Sequence, residues 1–284
     1  MTLPLDDPAS DREIAGRFGL RRVGRTWRGN CPQCGYRDAA VLLPARGEQP
    51  GRLWCANGCD LGDLDGTHQR RSPQPAEDRH TSEKALRLWN GADPCAGTPA
   101  ALYLAGRGLP HLVASQALRF RADCPHPEER HRMPALIAAV TDFAGRIVAV
   151  HRTFVTRAGE KAPVIPPRAS LGKIGGGAVR LSDPVPDKRL VIGEGIESSA
   201  ACGLLTEQPA WAAVSAGNLG WRLTLPIEIN SVLIACDRDP PGMRAAEAAA
   251  ARWRAEDRNV RIASPDRLGT DFNDILLEQK GYQR

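Results

Sequence analysis

Acidic residues follow two short apolar runs near the C-terminus of the chain. The run at residues 190–193 leads into Glu194, and the run at residues 232–236 leads into Asp237 and Asp239. Short, β-rich runs that stop at an acid are typical of a parallel sheet, which delivers side chains to the carboxyl ends of its strands. Carboxylate oxygens gathered there suit Mg²⁺ or Mn²⁺, and these ions suit phosphoryl transfer.

The elements that would position these acids alternate between strands and helices from residue 189 onward. Such alternation predicts a parallel sheet with helices on its faces. We expect strands at 189–193, 210–214, 231–236 and 259–263, and helices at 196–206, 242–257 and 272–279.

A mixed α+β region is predicted before this sheet, over residues 81–185. Helices are expected at 81–90 and 98–107. Residues 135–140 and 147–155 flank a glycine-containing turn, which is the signature of a β-hairpin. The fold class is therefore α/β in the C-terminal part, preceded by a mixed α+β subdomain.

Positive charge is concentrated in the second half of this region. The only acid between Asp142 and Asp183 is Glu160. Such a block is typical of a surface for a polyanion, although a solvated face with scattered counter-ions is the alternative. Its cationic residues are Arg146, Arg152, Arg157, Lys161, Arg168, Lys173 and Arg180.

Two cysteine pairs lie about twenty residues apart near the N-terminus. Cys31 and Cys34 form the first pair, and Cys55 and Cys59 form the second. Four thiolates in two turn-forming contexts can surround a structural Zn²⁺ tetrahedrally. A redox pair and an iron–sulfur cluster are the alternatives. A closed four-thiolate site has no open position, so we do not expect this metal to be catalytic.

The cysteines lie within a small predicted domain, residues 1–66, that a polar linker at 67–80 separates from the rest. A helix is expected at 10–23, with Ser10 as its N-cap. Trp27 lies close to the first cysteine pair and is a candidate to stack on single-stranded nucleic acid, or else it forms part of the domain's own core.

The composition is that of an ordinary globular protein. The 284 residues are 42% hydrophobic and carry a net charge of +5. No apolar run is long enough to cross a membrane and no signal peptide opens the sequence, so we expect a cytoplasmic location and no membrane partner. Eight cysteines without a secretion signal argue against a disulfide framework.

Taken together, the motifs give the chain a resemblance to bacterial or mobile-element primases of the TOPRIM class. The cysteine ribbon followed by Gly62 and Asp63 resembles a primase zinc-binding domain. The sequence GEGIE resembles the TOPRIM glutamate motif, and DRD resembles its Asp-x-Asp motif. Further segments resemble the plasmid and phage branch of these primases: residues 103–109, 151–153 and 271–276.

The resemblance implies a DNA primase that makes short RNA primers on single-stranded DNA from ribonucleoside triphosphates by two-metal nucleotidyl transfer. It implies a TOPRIM catalytic domain at residues 186–284, with Zn²⁺ structural and Mg²⁺ or Mn²⁺ catalytic. The implied catalytic residues are Glu194, Asp237 and Asp239, which with Asp274 would hold the catalytic metal. The implied nucleic-acid or nucleotide contacts are Trp27, Arg152, Lys161, Arg168, Lys173 and Arg180.

Some assignments stay open at this point. Ser198 stands where many replicative primases carry an acid, and Asp271 is either an outer metal ligand or a helix N-cap. Glu197 either assists the acids of the site or lies on the surface. A TOPRIM-type nuclease and a non-catalytic nucleic-acid-binding module are the alternative functions. No helicase sequence follows residue 284, so a replicative helicase is expected to act in trans.

Overall fold

The structure is a computed structural model that describes residues 8–32, 40–44, 52–55, 61, 76–129, 131–183 and 188–281. Its helices are α1 (Pro8–Arg17), α2 (Ala76–Asn90), α3 (Pro99–Gly106), α4 (Ile196–Thr206), α5 (Ala216–Trp221), α6 (Pro240–Arg254) and α7 (Phe272–Gln279), with a 3-10 helix at Pro110–Ala114. Its strands are β1 (Arg21–Val23), β2 (Thr26–Gly29), β3 (Ala40–Leu43), β4 (Arg52–Cys55), β5 (Leu118–Pro125), β6 (Arg132–Thr141), β7 (Ile147–Phe154), β8 (Arg168–Gly172), β9 (Val179–Arg180), β10 (Arg189–Gly193), β11 (Ala210–Ala212), β12 (Ser231–Ala235) and β13 (Asn259–Ala263).

The C-terminal domain is a five-stranded sheet in the order β13-β12-β10-β11-β9. The first four strands are parallel, and β9 joins the edge antiparallel to β11. The predicted strands β10 and β13 and helices α4 and α7 have the bounds expected from the sequence, which confirms the parallel α/β sheet. Helix α5 was not predicted.

Helix α6 is the main difference in this domain, because the sequence predicted it at 242–257. Asp239 caps it through a bond from the Gly242 N–H, and the two prolines that follow Asp239 occupy its first turn. Proline suits the first turn of a helix, since those N–H groups have no partner within it. At the other end the helix stops at Arg254, and Asp257 has a positive φ of 60°.

Gly193 allows the carboxyl ends of β10 and β12 to approach each other. It pairs with Ala235 in the parallel register of the two strands. A Cβ at Gly193 would lie 2.7 Å from the Ser199 hydroxyl and 2.9 Å from the Ala235 carbonyl oxygen. The residues that immediately follow these strands are therefore brought side by side at one edge of the sheet.

The middle region, from α2 to β8, forms a four-stranded antiparallel sheet in the order β5-β6-β7-β8. The predicted hairpin is confirmed as β6 and β7. Helix α2 packs on β7 and β8, whereas α3 lies in one continuous apolar core with α4 and α7 of the C-terminal domain. The predicted linker at 67–80 extends too far at its C-terminal end, because α2 already begins at Ala76. Strand β5 was not predicted.

The N-terminal sheet, β1 to β4, is antiparallel and shares an apolar core with α1. The predicted helix at 10–23 is corrected in two respects. It begins at Pro8, before Ser10, and proline is favoured in a first turn. It ends at Arg17, because Gly19 takes a positive φ of 59° and turns the chain into β1.

The N-terminal sheet docks on the C-terminal domain through Arg28, whose side chain is fully buried. Arg28 Nη1 donates a hydrogen bond of 2.8 Å to the Leu225 carbonyl, and Nη2 lies 3.8 Å from Glu256 Oε2. The Arg25 N–H also donates to the Ala255 carbonyl, at 2.7 Å. Ala255 and Glu256 lie between the end of α6 and the start of β13, so the N-terminal sheet sits toward the amino ends of the parallel strands.

Within the described ranges, no helix has the length and apolar character needed to cross a membrane.

We expect Gly193→Ala to lower the free energy of unfolding by about 1–3 kcal/mol, because the added methyl group would overlap the backbone of β12. Gly106→Ala is the matched control, since a Cβ there would meet no atom from outside its own stretch of helix within 4 Å. Chemical denaturation measures both. Equal effects of the two changes would contradict the close approach of β10 and β12.

Candidate active site

Glu194 and Asp237 lie at the carboxyl edge of the parallel sheet, just past β10 and β12, and both are half-buried. Burial raises the pKa of Glu194, and the charges of Asp237 and Asp239 raise it further. Burial also raises the pKa of Asp237, and the charges of Asp271 and Asp239 add to this. The structure therefore brings the predicted carboxylates together, close enough to repel one another.

Two protein contacts hold the Asp-x-Asp motif in place. The Ser198 hydroxyl donates a hydrogen bond of 2.8 Å to Asp237 Oδ1. Asp239 Oδ1 accepts a bond of 2.7 Å from the Gly242 N–H as the N-cap of α6. Ser198 thus orients one carboxylate at the position where many replicative primases carry an additional acid.

No group of three or more His, Cys, Asp or Glu side chains in the described ranges is arranged to hold a metal ion. The carboxylates nevertheless fit a divalent cation in their chemistry. They are hard oxygen donors, the charges of neighbouring acids raise the pKa of Glu194 and Asp237, and such repulsion is relieved by a bound cation. Because Asp239 is engaged as a helix cap, its coordination would require that contact to be shared or released.

Asp271 and Asp274 form a capping box at the start of α7. Asp271 Oδ1 accepts a bond of 2.9 Å from the Asp274 N–H, and Asp274 Oδ2 accepts one of 3.1 Å from the Asp271 N–H. The N-cap alternative for Asp271 is therefore what the structure shows. Burial raises the pKa of Asp271, whose charge also acts on Asp237, so it borders the acidic cluster.

Glu197 is buried, and the surface alternative for it is wrong. Only 5% of the residue is exposed. The Tyr103 hydroxyl donates a bond of 2.6 Å to Glu197 Oε1, and Arg168 Nη2 lies 2.9 Å from Oε2. Burial disfavours the Glu197 carboxylate, but Arg168 and Tyr103 outweigh it and lower the pKa. Glu197 therefore joins α3 and β8 of the middle region to α4.

This ion pair places the Arg168 guanidinium beside the acidic cluster, where it lowers the pKa of both Glu194 and Asp237. Lys161 is exposed nearby, and its pKa is lowered first by partial burial and then by Arg168 and Arg107. Two of the predicted phosphate-binding residues therefore lie near the carboxylates.

His151 lies on β7 near Glu197 and Arg168, and no role in the site was predicted for it. Burial lowers the pKa of His151 to about 4, and its Nδ1 lies 3.0 Å from the Ser170 hydroxyl. The imidazole is therefore neutral at pH 7.

Of the other predicted nucleic-acid contacts, Arg152, Arg180 and Trp27 are held by other groups. Arg180 stacks on Trp211 and donates to the Asp142 carbonyl at 2.8 Å. Lys173 is exposed, and Arg152 is buried against backbone carbonyls. Trp27 is half-buried and packs against the N-terminal core.

Of the four predicted zinc ligands, Cys34 and Cys59 lie outside the described residues. Cys31 is fully buried. Ala40 of β3 pairs with both Gly29 and Cys55, so the ends of β2 and β4 lie at one end of the sheet. Cys31 follows β2 by two residues, and its backbone therefore lies at the same end as that of Cys55.

Comparison with known families identifies the C-terminal part of the chain. Residues 189–281 match the family described as "Toprim domain", and residues 79–181 match a "Domain of unknown function (DUF7146)". The sheet that carries Glu194 and Asp237 is thus a Toprim domain. No protein of curated function matches it.

Several solved primase structures resemble the chain only distantly. The DnaG primase catalytic domain bound to single-stranded DNA is 19% identical, with 72% of this chain and 79% of that one covered and a TM-score of 0.48. The RNA polymerase domain of Mycobacterium tuberculosis DnaG is 14% identical, with coverages of 72% and 80% and a TM-score of 0.48. The Aquifex aeolicus primase is 13% identical, with coverages of 95% and 80% and a TM-score of 0.46.

We expect Glu197→Gln to lower the free energy of unfolding at pH 7 by about 1–3 kcal/mol, because it leaves Arg168 without its buried counter-charge. The pKa of Glu197 is lowered by folding, so the contribution of its carboxylate is complete above the ordinary value of 4.5. It disappears as the pH falls through the lower, folded value. The difference between wild type and variant should therefore narrow below pH 4.5.

Urea denaturation at a series of pH values tests this. The control is Glu278→Gln, which removes an exposed carboxylate from its pair with Arg267 and should leave the unfolding midpoint nearly unchanged. A stability difference for Glu197→Gln that is independent of pH would show that the carboxylate charge is not responsible.

Proposed function

We propose that the protein is a DNA primase, a DNA-directed RNA polymerase that joins ribonucleotides on single-stranded DNA. The observation that carries the proposal is the opposition of charges at the carboxyl edge of the Toprim sheet. Glu194 and Asp237 occupy one side, Arg168 of the middle region acts on both, and Lys161 lies near Arg168 and Asp271. Nucleotidyl transfer needs both, because carboxylates hold the divalent metal while cations hold the triphosphate.

The roles proposed for the acids follow from their environments. Asp237 and Asp239, with Glu194 and Asp274 as further ligands, would hold Mg²⁺ or Mn²⁺, which neutralises phosphate charge and polarises the attacking hydroxyl. The alternative role for Glu194, in place of metal binding, is to accept the proton of that hydroxyl, and its raised pKa suits it to this. The oxygen then bonds to the α-phosphorus, and pyrophosphate leaves.

Arg168 and Lys161 are proposed to bind the triphosphate. Arg168 is suited to two-point contact with phosphate, and its bond to Glu197 fixes the direction in which the guanidinium points.

We also propose the remaining expectations from the sequence: nucleic-acid contacts by Lys173, Arg180 and Trp27, a helicase acting in trans, and a cytoplasmic location. For Arg152, burial against carbonyl oxygens leaves an indirect role.

The test is RNA synthesis on a single-stranded DNA template with labelled ribonucleotides and Mg²⁺ or Mn²⁺. We expect Asp237→Asn to reduce product by about 100-fold or more, because it removes a charged metal ligand while keeping the shape of the side chain. Asp266→Asn, at an exposed acid of the same domain, is the matched control and should retain activity.

Other products would point to other functions. Shortening of the DNA without RNA synthesis, abolished in Asp237→Asn, would indicate a Toprim nuclease. Binding of DNA with no product of either kind would indicate a non-catalytic module. Either result would overturn the primase proposal.

We further propose that Cys31, Cys34, Cys55 and Cys59 hold a structural Zn²⁺. The burial of Cys31 and the shared sheet end of Cys31 and Cys55 support this.

Metal analysis of the purified protein should find about one zinc per chain, and Cys31→Ser should lose it and unfold the N-terminal domain. The matched control is Cys202→Ser, at a buried cysteine of the Toprim core, which should keep the metal. A wild-type protein purified without chelators that carries no zinc would contradict the assignment.

A further inference from the structure

A cationic cavity lies on the middle region, away from the Toprim site. It has a volume of about 380 Å³ and is open to solvent. Among the described residues, no carboxylate side chain lines it. The lining residues are Lys84, Arg87, Arg121, Arg132 and Arg152, together with the apolar Leu88, Pro125 and Leu171.

The floor of this cavity is a buried guanidinium with no acidic partner among the described residues. Arg152 is 5% exposed. Its nitrogens donate to the carbonyl oxygens of Pro125 at 2.8 Å, Ala169 at 3.2 Å and Ser170 at 3.3 Å. Carbonyl dipoles fix the group but do not cancel its charge, so the floor keeps a preorganised positive potential.

The rim adds exposed positive charge. Lys84 and Arg87 are exposed and lie three residues apart on α2, which places them on one face of that helix. Arg132 is exposed on β6 and bonds the Asp123 carbonyl at 2.7 Å. The Asp123 carboxylate pairs with Arg121 and Arg132, and it offsets only part of the positive charge around the cavity.

The cavity opens on the opposite face of the antiparallel sheet from the Toprim site. Successive residues of a strand point to opposite faces. His151 of β7 faces Glu197 and Arg168, whereas Arg152 faces the cavity beneath α2. A ligand bound here therefore cannot be the triphosphate at the Toprim edge.

We propose that this cavity binds the phosphodiester backbone of single-stranded nucleic acid. Several arginines around one cavity suit phosphate oxygens, which they contact in pairs, and Leu88, Leu171 and Pro125 offer an apolar surface to a sugar or base. The inference rests on the proposed function, for which it supplies a second contact with the template, remote from the reacting end.

The test is binding of a fluorescein-labelled single-stranded oligodeoxynucleotide, followed by anisotropy at several salt concentrations. The variant is Lys84→Ala with Arg87→Ala, both at exposed positions, so that folding is preserved. We expect about tenfold weaker binding at low salt. The slope of log affinity against log salt should also become shallower by about 1.4, because each neutralised phosphate contributes about 0.7 on a single strand.

The matched control is Arg17→Ala with Arg261→Ala, which removes two exposed charges outside this cavity. Equal weakening in both double variants, or none in either, would overturn the proposal. Competition by ATP separates the two sources of phosphate. If the cavity variant no longer binds ATP but keeps oligonucleotide binding, the site is one for free nucleotides and the proposal is wrong.

Asp237→Asn distinguishes this inference from the proposed function. That variant should bind the oligonucleotide as wild type does, because its change lies at the Toprim edge. If the wild-type protein makes no RNA but the cavity variant still weakens binding, the primase proposal fails while the cavity assignment holds. If the wild-type protein makes RNA but the cavity variant binds the oligonucleotide as wild type does, the primase proposal holds and the cavity assignment fails.

Discussion

Repulsion among carboxylates at the carboxyl edge of the Toprim sheet is the constraint to which the surrounding structure responds. The backbone places these carboxylates close together, because β10 and β12 are adjacent and parallel and their last residues meet at one edge. Glu194 and Asp237 are half-buried there, and burial together with the charges of neighbouring acids raises the pKa of both. Stable folding without a bound cation therefore requires nearby positive charge or hydrogen-bond donors.

The neighbouring groups meet this requirement in different ways. Ser198 donates to Asp237 without adding negative charge, and the N-terminus of α6 engages Asp239. Arg168 supplies a positive charge from the middle region, but it is shared with Glu197. The cluster is thus held together but only partly neutralised, a state in which a divalent cation and a polyphosphate each find complementary charge.

Local signals in the sequence were sufficient for most elements of the Toprim domain and for the residues at its edge. Apolar runs that end at acids indicated the ends of β10 and β12, and a glycine directly before Glu194 lies at their close approach. Two of the boundaries that failed depended on single backbone features. Gly19 ended α1 early, and the two prolines after Asp239 moved the start of α6.

Contacts between residues that lie far apart in the sequence could not be predicted from it. Glu197 lies in the first turn of a helix, a position compatible with the surface, and only its contact with Tyr103, 94 residues earlier in the chain, reveals that it is buried. Arg152 and Arg168 belong to the same basic block, yet one faces α2 and the other faces the acidic cluster. The density of positive charge predicted an anionic ligand, but it could not show which cations lie on which face of the antiparallel sheet.

The contact of Glu197 with Tyr103 and Arg168 also bears on how such proteins can be recombined in evolution. The chain passes from the middle region to the Toprim domain between β8 and β9, but the ion pair of the buried Glu197 belongs to both sides of that passage. A Toprim domain transferred alone would carry an unpaired carboxylate in an exposed apolar face. The two regions are therefore expected to be inherited as one unit.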